Sequence, residues 1–127
     1  MDSLLLGLLV WLQVKHFVAD YLLQSRWMIA GKGKFDQPGG YIHAGIHVAG
    51  TAPALIYSGI GLGLVALLLL AEFVIHFTVD HLKALQARAR PQSPSSARFW
   101  AAHGADQLAH HLTYSGILFV IMRATAA

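Results

Sequence analysis

The feature that most restricts this chain is one spacing that occurs four times in apolar, helix-period sequence. Two imidazole or carboxylate side chains stand four residues apart: His16 with Asp20, His43 with His47, His76 with Asp80, and Asp106 with His110. Glu72 lies one turn before the third pair and His103 about one turn before the fourth. On an α-helix, residues i and i+4 share a face, one turn apart. Each segment therefore offers two ligand-type groups in one direction, and four such helices can converge on one polar centre.

The remainder of each segment is too apolar for an ordinary soluble domain. Of 127 residues, 56% are hydrophobic and 12% charged, against about 25% charged in a typical soluble domain. So few charges cannot cover the surface of a soluble domain of this length, and several apolar runs approach the ~20 residues that a membrane span needs. The expected fold is a single all-α domain, a polytopic membrane protein with four transmembrane helices in a bundle, spanning residues 3–24, 41–57, 64–86 and 97–122. The absence of cysteine excludes disulfides and thiolate metal sites. A net charge of +3 could suggest nucleic acid. Here the basic residues flank apolar spans, where membrane topology accounts for them, and no nucleic-acid partner is expected. No basic stretch precedes Leu4 and no small-residue cleavage site follows the first apolar run, so that run is expected to be a span rather than a signal peptide.

Along the chain, Ser3 suits the N-cap of the first span, and Gln13, His16, Asp20 and Gln24 mark its polar stripe. Lys15 lies off that stripe and is expected to snorkel or to pair with a carboxylate of a neighbouring helix such as Glu72. Residues 25–40 read as a basic loop punctuated by Gly and Pro. Gly45, Gly50 and Pro53 are expected to interrupt the second span, leaving a broken or partly re-entrant helix. In the third, Glu72, His76, Asp80 and Lys83 run down one face. Seven of the nine Lys and Arg lie in, or flank, the 25–40 and 87–97 loops: Arg26, Lys32, Lys34, Lys83, Arg88, Arg90 and Arg98. The positive-inside rule then makes both loops cytoplasmic and puts both termini outside. With that topology all four ligand pairs can share the cytoplasmic half of the bundle.

The chain also repeats itself. Val14, His16, Phe17, Asp20 and Leu22 recur as Val74, His76, Phe77, Asp80 and Leu82, and the helix after each carries a second i, i+4 pair. Two pseudo-repeated helical hairpins, related by a pseudo-two-fold along the membrane normal, would supply a duplicated half-site and hence a two-metal centre.

A single intramembrane His is commonly only a hydrogen-bonding residue between helices, and His81, His103 and His111 are expected to be of that kind. The ensemble is different. An ionisable group at bilayer depth costs at least ~2.5–3.5 kcal/mol, and four helices each carry two. Imidazole with carboxylate and no thiol suits Zn, Fe, Mn or Ni. The expected ligands are His16, Asp20, His43, His47, His76, Asp80, Asp106 and His110, around two divalent transition-metal ions, with zinc ahead of iron or manganese. Glu72 is the candidate general base.

The segments that begin at His16, His43, Glu72 and Asp106 resemble a bacterial family of small polytopic membrane proteins known only as a domain of unknown function. The likeness covers nearly the whole chain. It implies a multi-pass protein of the bacterial cytoplasmic (inner) membrane and supplies no reaction. The expected activity is that of a membrane-embedded metal-dependent hydrolase acting on a lipid or lipid-linked substrate, with the lipid bilayer as partner and a homo-oligomer left open. Alternatives are a non-haem di-iron redox enzyme, for which one Glu is few carboxylates, and a metal or proton transporter. Bis-His haem ligation has no use for the i+4 carboxylates, and a purely structural subunit has no use for so many ionisable groups.

Overall fold

The computed structural model describes residues 2–126, and among these the chain is all helical. Helix α1 covers Asp2–Phe17 and continues as a π-helical turn over Val18–Leu22; α2 is Arg26–Gly31, α3 Pro38–Tyr57, α4 Leu62–Ala89 and α5 Ala97–Thr125. Ser3 thus lies inside the first turn of α1 and does not cap it. The π turn closes through the Leu23 amide, which donates to the Val18 carbonyl at 2.9 Å. One residue is added to the turn that carries Asp20, so the first ligand pair does not sit on regular α-helix as the spacing predicts.

The connection from 25 to 40 is not simply a loop. Ser25 caps a short helix by accepting from the Met28 amide at 3.3 Å. This helix, α2, lies backbone to backbone on the start of α3. A Cβ on Gly31 would meet Gly39 Cα at 2.9 Å, and one on Gly39 would meet the Trp27 carbonyl at 2.8 Å. Gly31 and Gly39, which look like loop punctuation, are there because a Cβ would not fit.

Helix α3 runs unbroken through Gly45, Gly50 and Pro53. Pro53 lacks an N–H and ought to disturb the preceding turn. That turn is instead tied to α1, because Trp11 Nε1 donates to the Gly50 carbonyl at 2.8 Å. Gly50 also leaves room for the stem of Lys15, which passes 3.4 Å from where its Cβ would be.

The four long helices form a ring. α3 packs against α1 and α4, α5 packs against the same two, and among the described residues the diagonal pairs meet only through long side chains that reach across the middle. Exchanging α1 with α4 and α3 with α5 preserves these neighbours, as two repeated hairpins require. Each helix buries a single stripe: Leu8, Leu12, Lys15 and His16 on α1, continued by Ala19 of the π turn; His43, His47, Thr51 and Leu55 on α3; Val65, Leu68, Glu72, His76 and Asp80 on α4; Asp106, His110, Tyr114, Ile117 and Ile121 on α5. The apolar parts of the stripes meet at one end of the bundle and the ionisable parts at the other. Arg88 of α4 donates to the carbonyls of Lys32 and Gly33, so the α2–α3 connection lies at the C-terminal end of α4, the end that also leads into α5. The polar half is therefore the half nearer both basic connections.

Large apolar side chains point outward instead, among them Val10, Val14 and Phe17 on α1, Leu67, Leu70 and Val74 on α4, and Leu108, Leu112 and Phe119 on α5. Two stretches, Ser3–Leu22 and Leu62–Ala89, are long and apolar enough to cross a bilayer by length and composition alone. α3 and α5 are long enough, but glycines, histidines and charged groups lower their hydropathy below that level. Of the four expected spans, two meet the test.

Candidate metal centre

Six of the eight expected ligands come together in two groups. Asp20, His43, His47 and His76 form one; His76, Asp80 and His110 form the other; within each group one donor atom per residue lies within 4.8 Å of all the rest. His43 Nε2 joins the groups, at 3.2 Å from Asp20 Oδ1 and 3.4 Å from Asp80 Oδ2. His76 Nε2 is 3.3 Å from Asp80 Oδ2, and His110 Nε2 is 3.4 Å from Asp80 Oδ1.

These separations test the fit of a metal. Two donors each 2.0–2.2 Å from one tetrahedral ion stand about 3.3–3.6 Å apart. Nitrogen–oxygen hydrogen bonds cluster nearer about 2.9–3.0 Å. His43 Nε2, His76 Nε2 and His110 Nε2 are buried and make no aligned hydrogen bond, and both nitrogens of His43 are in this position. Buried polar atoms without partners are uncommon and call for a cause. Lone pairs converging at ligand–ligand spacing are such a cause. His47 differs: its Nε2 lies 2.9 Å from Asp20 Oδ1, at hydrogen-bond distance.

The remaining two expected ligands lie beside the groups. His16 Nε2 is 3.3 Å from Asp20 Oδ2, the same separation as in the repeated pair His76 and Asp80. Yet both nitrogens of His16 have other partners, the Tyr114 hydroxyl at 2.9 Å from Nδ1 and Gln107 Oε1 at 2.9 Å from Nε2. Asp106 accepts from Lys83 Nζ at 2.6 Å and from Gln107 Nε2 at 3.1 Å, and its other oxygen is 3.5 Å from His110 Nε2. The repeat is symmetric in sequence and asymmetric in use.

A ring of polar groups surrounds the expected ligands. The Tyr114 hydroxyl bridges His16 Nδ1 and His47 Nδ1, the latter at 3.3 Å. Were His47 Nε2 to bind a metal, its Nδ1–H would donate to Tyr114, Tyr114 to His16 Nδ1, and His16 Nε2–H to Gln107. Every proton in that chain has an acceptor, which is the arrangement that fixes tautomer and ring orientation around metal ligands. Gln107 Nε2 completes it by donating to Asp20 Oδ2 at 3.3 Å.

Glu72 lies in neither group. Its Oε1 accepts from Lys15 Nζ at 2.6 Å and from the Thr51 hydroxyl at 2.9 Å, and Lys15 Nζ also stands 3.4 Å from His47 Nδ1. The carboxylate expected as a general base is thus paired with the buried ammonium of Lys15. Of the other histidines, His81 stacks on Phe35 with ring centroids 4.2 Å apart, His103 is 3.4 Å from Lys83 Nζ, and His111 lies 5.1 Å from the His16 ring.

Sequence reasoning missed Thr51, Tyr114, Gln107 and Lys32. Thr51 follows His47 by four residues and Tyr114 follows His110 by four, so continuing the ladder one step would have found both. Gln107 is one residue off its stripe. Lys32, whose Nζ is 2.7 Å from Asp80 Oδ2, arrives from a connection with no periodicity to follow.

No curated protein and no solved structure matches this sequence. The model of the family described as a protein of unknown function, DUF3307, matches residues 8–126; the chain belongs to that family.

Proposed function

We propose that this protein is a membrane-embedded metal-dependent hydrolase, with a dinuclear His/Asp centre in the cytoplasmic half of a four-span bundle. The observation that carries the metal reading is the convergence of Asp20, His43, His47, His76, Asp80 and His110 from all four long helices, with three imidazole Nε2 atoms buried and unpartnered. The apolar exterior of the ring supports immersion in lipid. α3 and α5 cross there because their polar residues face inward, where lipid cannot demand hydrogen bonds of them. Nitrogen and oxygen donors without sulfur favour zinc, with iron or manganese next.

The polar half ends at the Lys15, Glu72 and Thr51 cluster. Beyond it the bundle is sealed by Leu8, Leu12, Leu55, Leu68, Ile117 and Ile121. A carrier needs access from both faces, whereas a hydrolase needs one, and this asymmetry favours the hydrolase. A divalent metal held by these residues would supply a water acidified toward a pKa of ~7 and would polarise a carbonyl or phosphoryl oxygen. The protein's own part is to set Asp20 and Asp80 between imidazoles, and to hold Asp106 beside His110 by pairing it with Lys83, which is about one-third exposed. Water is excluded on the opposite side by the apolar core. A site at this depth is reached from the bilayer or from the basic end of the bundle, so a lipid or lipid-linked ester or phosphoester is the proposed substrate class.

The test is elemental analysis of protein purified without chelator, followed by incubation of the loaded protein with a lipid extract. The expected result is one to two equivalents of transition metal and release of a hydrolysis product that stops on chelation. Less than about half an equivalent of any such metal overturns the metal reading. Bound metal with an iron redox spectrum and no hydrolysis overturns the hydrolase.

A further inference from the structure

The two halves of the centre are alike in donors but not in neighbours. Asp20 faces His16, His43, His47 and Gln107, and no Lys or Arg lies within ion-pair distance of it among the described residues. Asp80 faces His43, His76 and His110, and also Lys32, whose ammonium is 2.7 Å from Oδ2. Among the described residues, Lys32 is the one ion-pair partner of either carboxylate that comes from neither a long helix nor its π turn.

The chain fixes the backbone of Lys32 with some care. Arg88 Nη2 donates to its carbonyl at 2.5 Å and Arg88 Nη1 to the carbonyl of Gly33 at 3.1 Å. Gly33 has φ +75° and lies flat on α4, where a Cβ would meet Ala84 Cβ at 2.9 Å. On the other side, Gly31 is pressed against Gly39. Only the four-carbon stem of Lys32 is free to move, and its side chain is 14% exposed. It reaches in from the edge of the bundle.

A metal ion bound through Asp80 would lie about 2.0–2.2 Å from a carboxylate oxygen. An ammonium 2.7 Å from one of those oxygens and a divalent ion on the same carboxylate are cations only a few ångströms apart. They repel strongly where the dielectric constant is low, and they compete for the same lone pairs.

Resting on the metal reading above, we infer that Lys32 is a built-in competitor for the Asp80 half of the centre. The half-sites are therefore filled in order. A divalent metal binds first at Asp20, His43 and His47, and His76, Asp80 and His110 accept a second ion only when the Lys32 side chain swings out toward the basic end.

Titration of the purified full chain with Co²⁺ and Zn²⁺ against a chromophoric chelator tests this, with the Co²⁺ visible spectrum reporting tetrahedral coordination. Wild type is expected to bind in two steps, the second weaker by about tenfold or more. Lys32→Met should tighten the second step by about tenfold and leave the first within about twofold, the scale typical of groups that tune metal ligands. Lys32→Arg, which keeps the charge, should retain the weak second step. Arg88→Ala, which frees the backbone clamp and leaves the lysine in place, should tighten the second step by less than Lys32→Met does. Thermal melts of each variant establish that the bundle is intact. Should Lys32→Met misfold, the Arg88→Ala and Lys32→Arg titrations decide. Two equal steps in wild type, or a second step unchanged in Lys32→Met, overturn the inference and leave the centre standing. Failure of every form, wild type included, to bind either metal overturns the centre itself and the inference with it.

Discussion

Lys15 and Glu72, 57 residues apart in the chain, form an ion pair of 2.6 Å with both side chains more than nine-tenths buried. Thr51 adds a third group to the carboxylate, and the Tyr114 ring lies beneath the ammonium at 4.4 Å. Breaking a buried pair by removing one partner costs about 3–5 kcal/mol, because the other charge is stranded, whereas removing both is far less costly. Lys15→Met and Glu72→Gln are each expected to lower stability by that amount, and the double variant to recover most of it. Thermal unfolding of the three variants in one detergent measures this. Additive losses in the double variant would show that the two groups act independently.

Tyr114→Phe removes only the hydroxyl that joins His16 Nδ1 to His47 Nδ1. The ring still fills the core, so the stability loss should stay near about 1–2 kcal/mol. Metal affinity should fall more, by roughly 10–100-fold, as is usual when a partner that orients a ligand is lost. A competition titration that finds wild-type affinity would mean that His47 needs no such support.

His43→Ala takes away a fully buried imidazole that stands between Asp20 and Asp80. It should remove more metal than His110→Ala, because His43 Nε2 stands against the carboxylates of both groups. His110→Ala should cost the Asp80 half, and His111→Ala should cost little, since one residue of rotation, about 100°, carries it out of both groups. Metal content measured side by side for the three variants gives the order. Equal losses from His110→Ala and His111→Ala would contradict the helical phase of α5.

Gly39→Ala places a methyl 2.8 Å from the Trp27 carbonyl and 2.9 Å from Met28 Cα. Both are backbone atoms and cannot step aside cheaply. A loss of about 1–3 kcal/mol is expected from overpacking, with α2 lifted from α3 and new protease cleavage between residues 25 and 38. Unchanged protease resistance would show that α2 has room to shift as a unit.

Arg88 joins α4 to the α2–α3 connection, so reporter fusions at residues 35 and 92 should report the same side of the membrane, the cytoplasm. Opposite answers at the two positions would refute four spans.

The sequence by itself determined the existence of the four long helices, their inward faces and the residue types that converge. Period-3.6 stripes survive any packing, so Glu72, His76 and Asp80 had to share a face, as did His43 with His47 and Asp106 with His110. It also determined that the ligands lie together in depth, because the pairs stand near the ends of helices joined by the basic connections. Spacing along one helix cannot say which groups on different helices meet. The sequence treats His16 like His76 and Asp106 like His43, and only packing gave His16 to Tyr114 and Gln107, and Asp106 to Lys83. Packing likewise set Glu72 against Lys15, and let backbone contact at Gly31 and Gly39 turn an expected loop into α2. Lys32 is the extreme case. Its place on Asp80 depends on the left-handed glycine beside it, on a clamp from Arg88, 56 residues away, and on the path of an aperiodic segment, which no helical period encodes.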